Sequence, residues 1–359
     1  MAFYASDKVR LYKWLCHVIS PIKIKNDHPE KLPACEGDWG KIIHLGSVNG
    51  VLPMLYSQLK NNNQLALLPP DLSLALEGFY ELNCLFNKRL REQIISTTRL
   101  LNHHNINPIW LKGSSNLLAP DWTSSTRTML DLDLWIPDAN DQRSALKILE
   151  IDGYRSQSDT LATDYLSHHH YAPLFKVGEP ARLELHRHIV SPRCFSLLPD
   201  GNSFKNVKWV AGDINFGTLA LNEQIMQSYL QCTEQSTDLL CRPRSTIKIM
   251  KIVDFLQRLS SKGISFSEWM TENPALMQEP WRVKAQDFSS FLHEFFFIDI
   301  PVKNNKKYLR KIAFAIQFQK IELAYYIAKH GLRLILSGDL KSIDRWRIKI
   351  NQALLLLRK

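Results

Sequence analysis

Residues Met129 to Ile136 read MLDLDLWI, an alternation of apolar and acidic side chains with period two. That period is the mark of a β-strand with one face on a core. Leu130, Leu132, Leu134 and Ile136 fall on one face, Asp131 and Asp133 on the other. Ionised carboxylates are costly to bury alone, so the acidic face must meet water, a cation or a substrate. Side chains two apart on a strand point the same way, with Cα atoms roughly 6–7 Å apart, close enough to serve one hard divalent cation such as Mg²⁺. The segment therefore demands a sheet with a core face and a working face.

The surrounding chain supplies candidates for the rest of that sheet. Ile106-Asn107-Pro108-Ile109-Trp110-Leu111 is short and β-like, and ends at Lys112-Gly113-Ser114-Ser115, which opens a short helical piece. His168–Val177 and Ala181–Val190 read as a hairpin about Gly178-Glu179-Pro180. Its second arm places Leu183 and Leu185 on one face, with Arg182, Glu184, His186 and His188 on the other. A helix is expected from about Asn140 to Asp152, stopped by Gly153. The flanks read as helices: about 39–59 with a break at Asn49-Gly50, a long one from Asp71 to about His104, and further pieces near 219–235, 244–262, 281–297, 309–336 and 340–358.

The expected architecture is α+β, a small mixed β-sheet core flanked by N-terminal and C-terminal helical regions. It divides as a helical region 1–104, an α/β core 105–215, a helical region 216–301 packing on the core, and basic C-terminal helices 302–359. At 359 residues, 45% hydrophobic and 22% charged, the chain has the proportions of a globular protein rather than a disordered one. No apolar run reaches the roughly 18 residues of a membrane span, and the charged N-terminal segment is not read as a secretory signal. Six scattered cysteines without a C-x-x-C pair fit free thiols in a reducing cytoplasm. The net charge of +10 is concentrated: residues 302–359 carry 14 Lys and Arg against three acids, leaving the rest nearly neutral. Such a tail attracts polyanions, or forms the solvated face of a helix pair.

Three groups of residues carry the candidate chemistry. Asp131 and Asp133 are paired carboxylates. Lys112-Gly113-Ser114-Ser115, at a strand end opening a helix, could bring amides, hydroxyls and a cation to a phosphate. Glu184 is a third carboxylate, able to complete a metal site or to deprotonate an acceptor. His186 is a candidate for the acceptor pocket or for proton transfer. The run His168-His169-His170 lacks a thiolate or further ligand in register and reads better as a polar strand edge.

The order of these motifs resembles the DNA-polymerase-beta-like nucleotidyltransferase superfamily, and more narrowly the bacterial family called uncharacterised nucleotidyltransferase. The likeness rests on Leu111-Lys112-Gly113, on Arg127 four residues before Asp131-Leu132-Asp133, and on Glu184-Leu185-His186. The lead-in DWGKIIHLGSVNGVLPMLYSQL (38–59) and Lys251–Phe255 extend it over most of residues 38–260. Leu130 stands where many relatives have a small residue. The resemblance implies Mg²⁺, or Mn²⁺ in its place, on Asp131 and Asp133, with Glu184 holding a second ion or acting as base. Gly113 and Ser114 would take the β- and γ-phosphates of an NTP, and Lys112 and Arg127 would neutralise charge beside them. An acceptor would attack the α-phosphate and release pyrophosphate, the acceptor being RNA such as tRNA, a protein or a metabolite. Two other classes stay open: a metal-dependent glycosyltransferase, and a non-catalytic nucleotide-binding or toxin–antitoxin module. Base preference and oligomeric state are not written in these motifs.

Overall fold

The computed structural model describes residues 7–22, 32–33, 36–121, 126–156, 169–237, 248–298, 300 and 305–317. His168 and the helix expected at 340–358 lie outside them, as does most of the helix expected at 309–336. The described chain divides into two compact units. One comprises the N-terminal residues through Glu81 together with those from Ser228 onward, and the other comprises Leu82–Gln227.

The second unit is built on a mixed sheet. Its strands are β1 (Ile109–Trp110), β2 (Asp131–Trp135), β3 (Arg155–Ser156), β4 (Leu174–Phe175), β5 (Arg182–His186), β6 (Lys208–Val210) and β7 (Phe216–Thr218). Their spatial order is β3-β4-β5-β2-β1-β7-β6. β2 and β5 lie parallel at the centre, β1 runs antiparallel to β2, and β7 runs parallel to β1. The β4–β5 hairpin forms where it was expected, with Leu174 opposite Leu183.

Alternation sorts the two faces. Leu132, Leu134, Leu183 and Leu185 enter a core with Phe86, Leu90 and Ile94 of the long helix α4 (Pro70–Asn102) and Ala145 and Leu149 of α6 (Ala139–Ile151). Asp138 caps α6 by accepting from the amides of Asn140 and Asp141, and Gly153 follows it at φ +97°, as the sequence predicts. Gln93 of α4 ties the core to the hairpin. It donates to the Ala181 carbonyl at 2.9 Å and accepts from the Ala181 amide at 3.1 Å.

The first unit is helical. It contains α1 (Asp7–Ile19), α2 (Glu36–Asn49), α3 (Leu52–Asn61), α7 (Ile249–Lys262), α8 (Phe266–Glu272), α9 (Trp281–Phe296) and α10 (Lys306–Gln317). Phe255, Phe266, Trp269 and Phe288 form an aromatic core at ring separations of 5.3 to 6.0 Å. The expected break at Asn49-Gly50 separates α2 from α3, with Gly50 at φ +70°. Two features differ from the sequence reading. The strand expected at 106–111 keeps only Ile109–Trp110 in register, although the Leu111 amide still donates to the Asp133 carbonyl at 3.0 Å. β6 and β7 carry the sheet on to Thr218, through three-residue strands too short to show a period. Among the described residues no helix is long and apolar enough to cross a membrane.

Candidate active site

The face of β2 and β5 opposite the core is polar. Parallel pairing sets Asp131 beside Arg182, Asp133 beside Glu184, and Trp135 beside His186. Three carboxylates separated by two or more residues in sequence are thereby gathered onto adjacent strands. Asp133 and Glu184 are buried, Asp131 is a third exposed, and His186 is fully buried. Among the described residues, Asp133, Glu184 and His186 form the one group of three side chains able to hold a metal ion. Their ligand atoms all lie within 4.8 Å of one another. Asp131 stands outside that triplet.

Cations of the protein sit on these acids. Lys112 Nζ lies 2.6 Å from Asp133 Oδ1. Arg182 bridges Asp131 Oδ2 at 3.1 Å and Glu184 Oε1 at 3.0 Å. His186 Nε2 lies 2.9 Å from the same Asp133 oxygen that Lys112 engages. Burial pushes the Asp133 carboxyl up, but the Lys112 charge and the His186 contact overcome it and hold it well below the usual carboxylate range. Burial lowers Lys112, and the Asp133 charge more than offsets it, so the ammonium is held above its ordinary value. Glu184 behaves oppositely. Burial, then the charges of Asp133 and Asp131, push it up to about 7. One face thus holds one carboxylate locked in its charged form and another titrating near neutrality.

The expected phosphate turn is organised by a strained lysine. Lys112 opens α5 (Lys112–Asn116) at φ +52°, a left-handed conformation that costs a non-glycine residue about 1 kcal/mol or more. The Ser114 amide donates to the Leu111 carbonyl at 3.0 Å, and the Ser114 hydroxyl accepts from the Asp133 amide at 2.9 Å. The Ser115 hydroxyl donates to the Lys112 carbonyl at 2.7 Å. Ser114 therefore ties the turn to β2, and Ser115 closes the turn on itself. A side chain at Gly113 would collide with the Arg127 guanidinium and the Met129 sulfur. This glycine leaves room for the Arg127 guanidinium over the turn. Leu130, expected on the core face with Leu132 and Leu134, is instead exposed just before β2.

Beside the triplet stand two histidines that the sequence assigned to a polar edge. The His169 and His170 rings lie 5.1 and 5.6 Å from the His186 ring. Burial pushes His169 down to about 2 and also lowers His170 and His186, so all three are neutral imidazoles near pH 7. The loop after β5 is pinned by Asp200, which accepts from His188 Nδ1 at 2.6 Å and from the Ile189 amide at 3.0 Å. Sequence reasoning placed Arg182 on the acidic face but gave it no part. Its position two residues before Glu184 was the available signal. Nothing in sequence marks Asp200.

Paired acids on parallel strands, a Lys-Gly turn and an arginine beside it form a site suited to handling a triphosphate and a divalent ion. No curated protein and no solved structure matches the chain. The profile of the family described as uncharacterised nucleotidyltransferase matches residues 36–270, which span the polar face and both of its strands. The chain belongs to that family.

Proposed function

We propose that the protein transfers a nucleoside monophosphate from an NTP to an acceptor hydroxyl or phosphate oxygen and releases pyrophosphate. The observation that carries this reading is the register of β2 against β5, which sets Asp133 opposite Glu184 with Asp131 on the same face. The donor set fits a divalent cation: three carboxylates, two of them buried, on adjacent strands. Asp131, Asp133 and Glu184 are the residues that would hold Mg²⁺ or Mn²⁺, which when bound neutralises charge developing on the transferred phosphoryl group.

Lys112 and Arg127 neutralise the β- and γ-phosphates, and the Gly113-Ser114 turn lets the triphosphate approach. The acceptor oxygen forms its bond to the α-phosphorus as the bond to pyrophosphate breaks. Its proton passes to a carboxylate oxygen of Glu184. RNA is the first acceptor to test, because residues 302–359 carry 14 Lys and Arg against three acids.

The test is incubation of the full chain with each α-³²P-labelled NTP and divalent cation, in cell lysate and then with isolated tRNA. Label moving to a macromolecule or metabolite, and lost in Asp131→Ala/Asp133→Ala, is the expected result. Absence of transfer from every NTP with either Mg²⁺ or Mn²⁺ overturns the proposal. Release of a nucleoside diphosphate from a sugar nucleotide would assign the site to glycosyl transfer instead.

A further inference from the structure

His186 is the fully buried member of the polar face, and its two ring nitrogens meet two acceptors. Nδ1 lies 3.2 Å from the His188 carbonyl oxygen, and Nε2 lies 2.9 Å from Asp133 Oδ1. The ligand atoms of His186, Asp133 and Glu184 lie within 4.8 Å of one another. With its N–H on Nδ1 directed to the carbonyl, the imidazole turns the Nε2 lone pair toward the carboxylates. Histidines that bind metals adopt this pattern, with one N–H given to a backbone carbonyl and the other nitrogen turned to the ion. The carbonyl is itself held in place, since Asp200 grips both His188 and Ile189, and Gln227 donates to the Ile189 carbonyl at 3.2 Å.

We propose that His186 supplies, through Nε2, a nitrogen ligand to the cation held by Asp133 and Glu184, and that the site therefore prefers a first-row transition-metal ion such as Mn²⁺ to Mg²⁺. The inference rests on reading this face as a cation-dependent transfer site, and it specifies which cation. Mg²⁺ selects oxygen ligands in strict octahedral geometry, whereas imidazole suits the later divalent metals. Glu184 keeps its role as base, because a carboxylate has two oxygens and ligation through one leaves the other open to a proton. Asp200 is a positioning residue, acting on His186 only through the 188–189 backbone.

The experiment titrates the full chain with MnCl₂ without nucleotide, follows the bound ion by electron spin resonance, and repeats the titration in competition with MgCl₂. The expected signal is hyperfine coupling of bound Mn²⁺ to an imidazole ¹⁴N. His186→Gln removes the coupling and weakens Mn²⁺ binding by about 10- to 100-fold, leaving Mg²⁺ binding far less changed. His186→Asp keeps a ligand but makes the set all-oxygen, so binding persists and the preference for Mn²⁺ is lost. Mn²⁺ bound to the unaltered protein without nitrogen coupling overturns the proposal, and that measurement does not depend on any variant folding. Equal weakening of both ions by His186→Gln also overturns it. Coupling without nucleotidyl transfer would sink the proposed function and leave this ligand in place. Transfer without coupling would do the reverse.

Discussion

Glu184→Gln is expected to make the substrate-free protein more stable. The Glu184 carboxyl is pushed from an ordinary value of 4.5 up to about 7, chiefly by burial and then by Asp133 and Asp131. A displacement of that size corresponds to about 3 kcal/mol between the charged and neutral forms. The sign follows from linkage. A group whose folded-state pKa is raised supports the fold fully below its unfolded pKa, and that support is lost as pH rises through the folded value. Between pH 4.5 and about 7 the native state therefore weakens progressively, and above 7 it bears the whole cost of an ionised Glu184. Glutamine is never charged and escapes this cost, but forfeits the contact with Arg182 at 3.0 Å. Arg182 is 38% exposed, so that loss is about 1 kcal/mol or less. The net expectation is a gain of about 2 kcal/mol at pH 8, shrinking to nothing or a small loss at pH 4.5. The two compact units need not unfold together. Hydrogen exchange of the β2 and β5 amides, measured from pH 5 to 8 and corrected for intrinsic exchange, reads the sheet directly. A Gln variant no more stable than the parent at pH 8, or one with the same pH slope, would refute the electrostatic account of this face.

Lys112→Met strips the ammonium from Asp133 and should destabilise the same amides by about 3 kcal/mol, since it leaves a buried carboxylate short of a partner. It should at the same time tighten Mn²⁺ binding by calorimetry, because the competing cation is gone. Gly113→Ala should displace the Arg127 guanidinium. It should raise KM for the NTP about tenfold, if that contact contributes about 1.4 kcal/mol, and cost about 1–3 kcal/mol of stability through Met129. Gln93→Leu removes both partners of the Ala181 backbone and should cost about 2–3 kcal/mol. Its effect should appear as faster exchange in β4 and β5.

The parts of the site visible in sequence are those set by local period. The alternation at 129–136 and 181–190 assigns Leu132, Leu134, Leu183 and Leu185 to one face and Asp131, Asp133 and Glu184 to the other, and the parallel register of β2 with β5 keeps these assignments, while Leu130 stays exposed and Met129 enters the core. The helix from Asp71 was read within two residues of its ends, because 33 residues of α4 hold a helical pattern without an interior proline. Convergence between strands was not visible. Nothing in the sequence says that Lys112 and His186 meet on one oxygen of Asp133, or that Ser114 is taken up by the Asp133 amide. Such contacts depend on strand register and on one left-handed residue, and neither leaves a periodic trace. β6 and β7 were missed for the same reason, since a three-residue strand contains less than two full periods. α4 passes unbroken through Glu81 and Leu82, where one unit gives way to the other along the chain.

The charges on the polar face explain why a substrate-free protein can keep such a site. Asp131, Asp133 and Glu184 are three acids, and Lys112 and Arg182 sit directly on them. The protein's own cations thus lie on oxygens that a metal ion would use. That arrangement is incomplete at one residue. Asp133 receives both Lys112 and His186, while Glu184 shares Arg182 with Asp131 and is left titrating near neutrality. On the reading proposed here the imbalance has a use. Asp133 and Glu184 would hold a divalent ion that offsets their charge, and Lys112 and Arg182 would then be able to meet the charge of a triphosphate. Arg127 already lies over Gly113, in the turn that follows Lys112. The same few side chains therefore carry the electrostatic cost at Glu184 and would supply the charge stabilisation of a bound triphosphate. For that reason a variant such as Glu184→Gln should gain stability as it loses turnover.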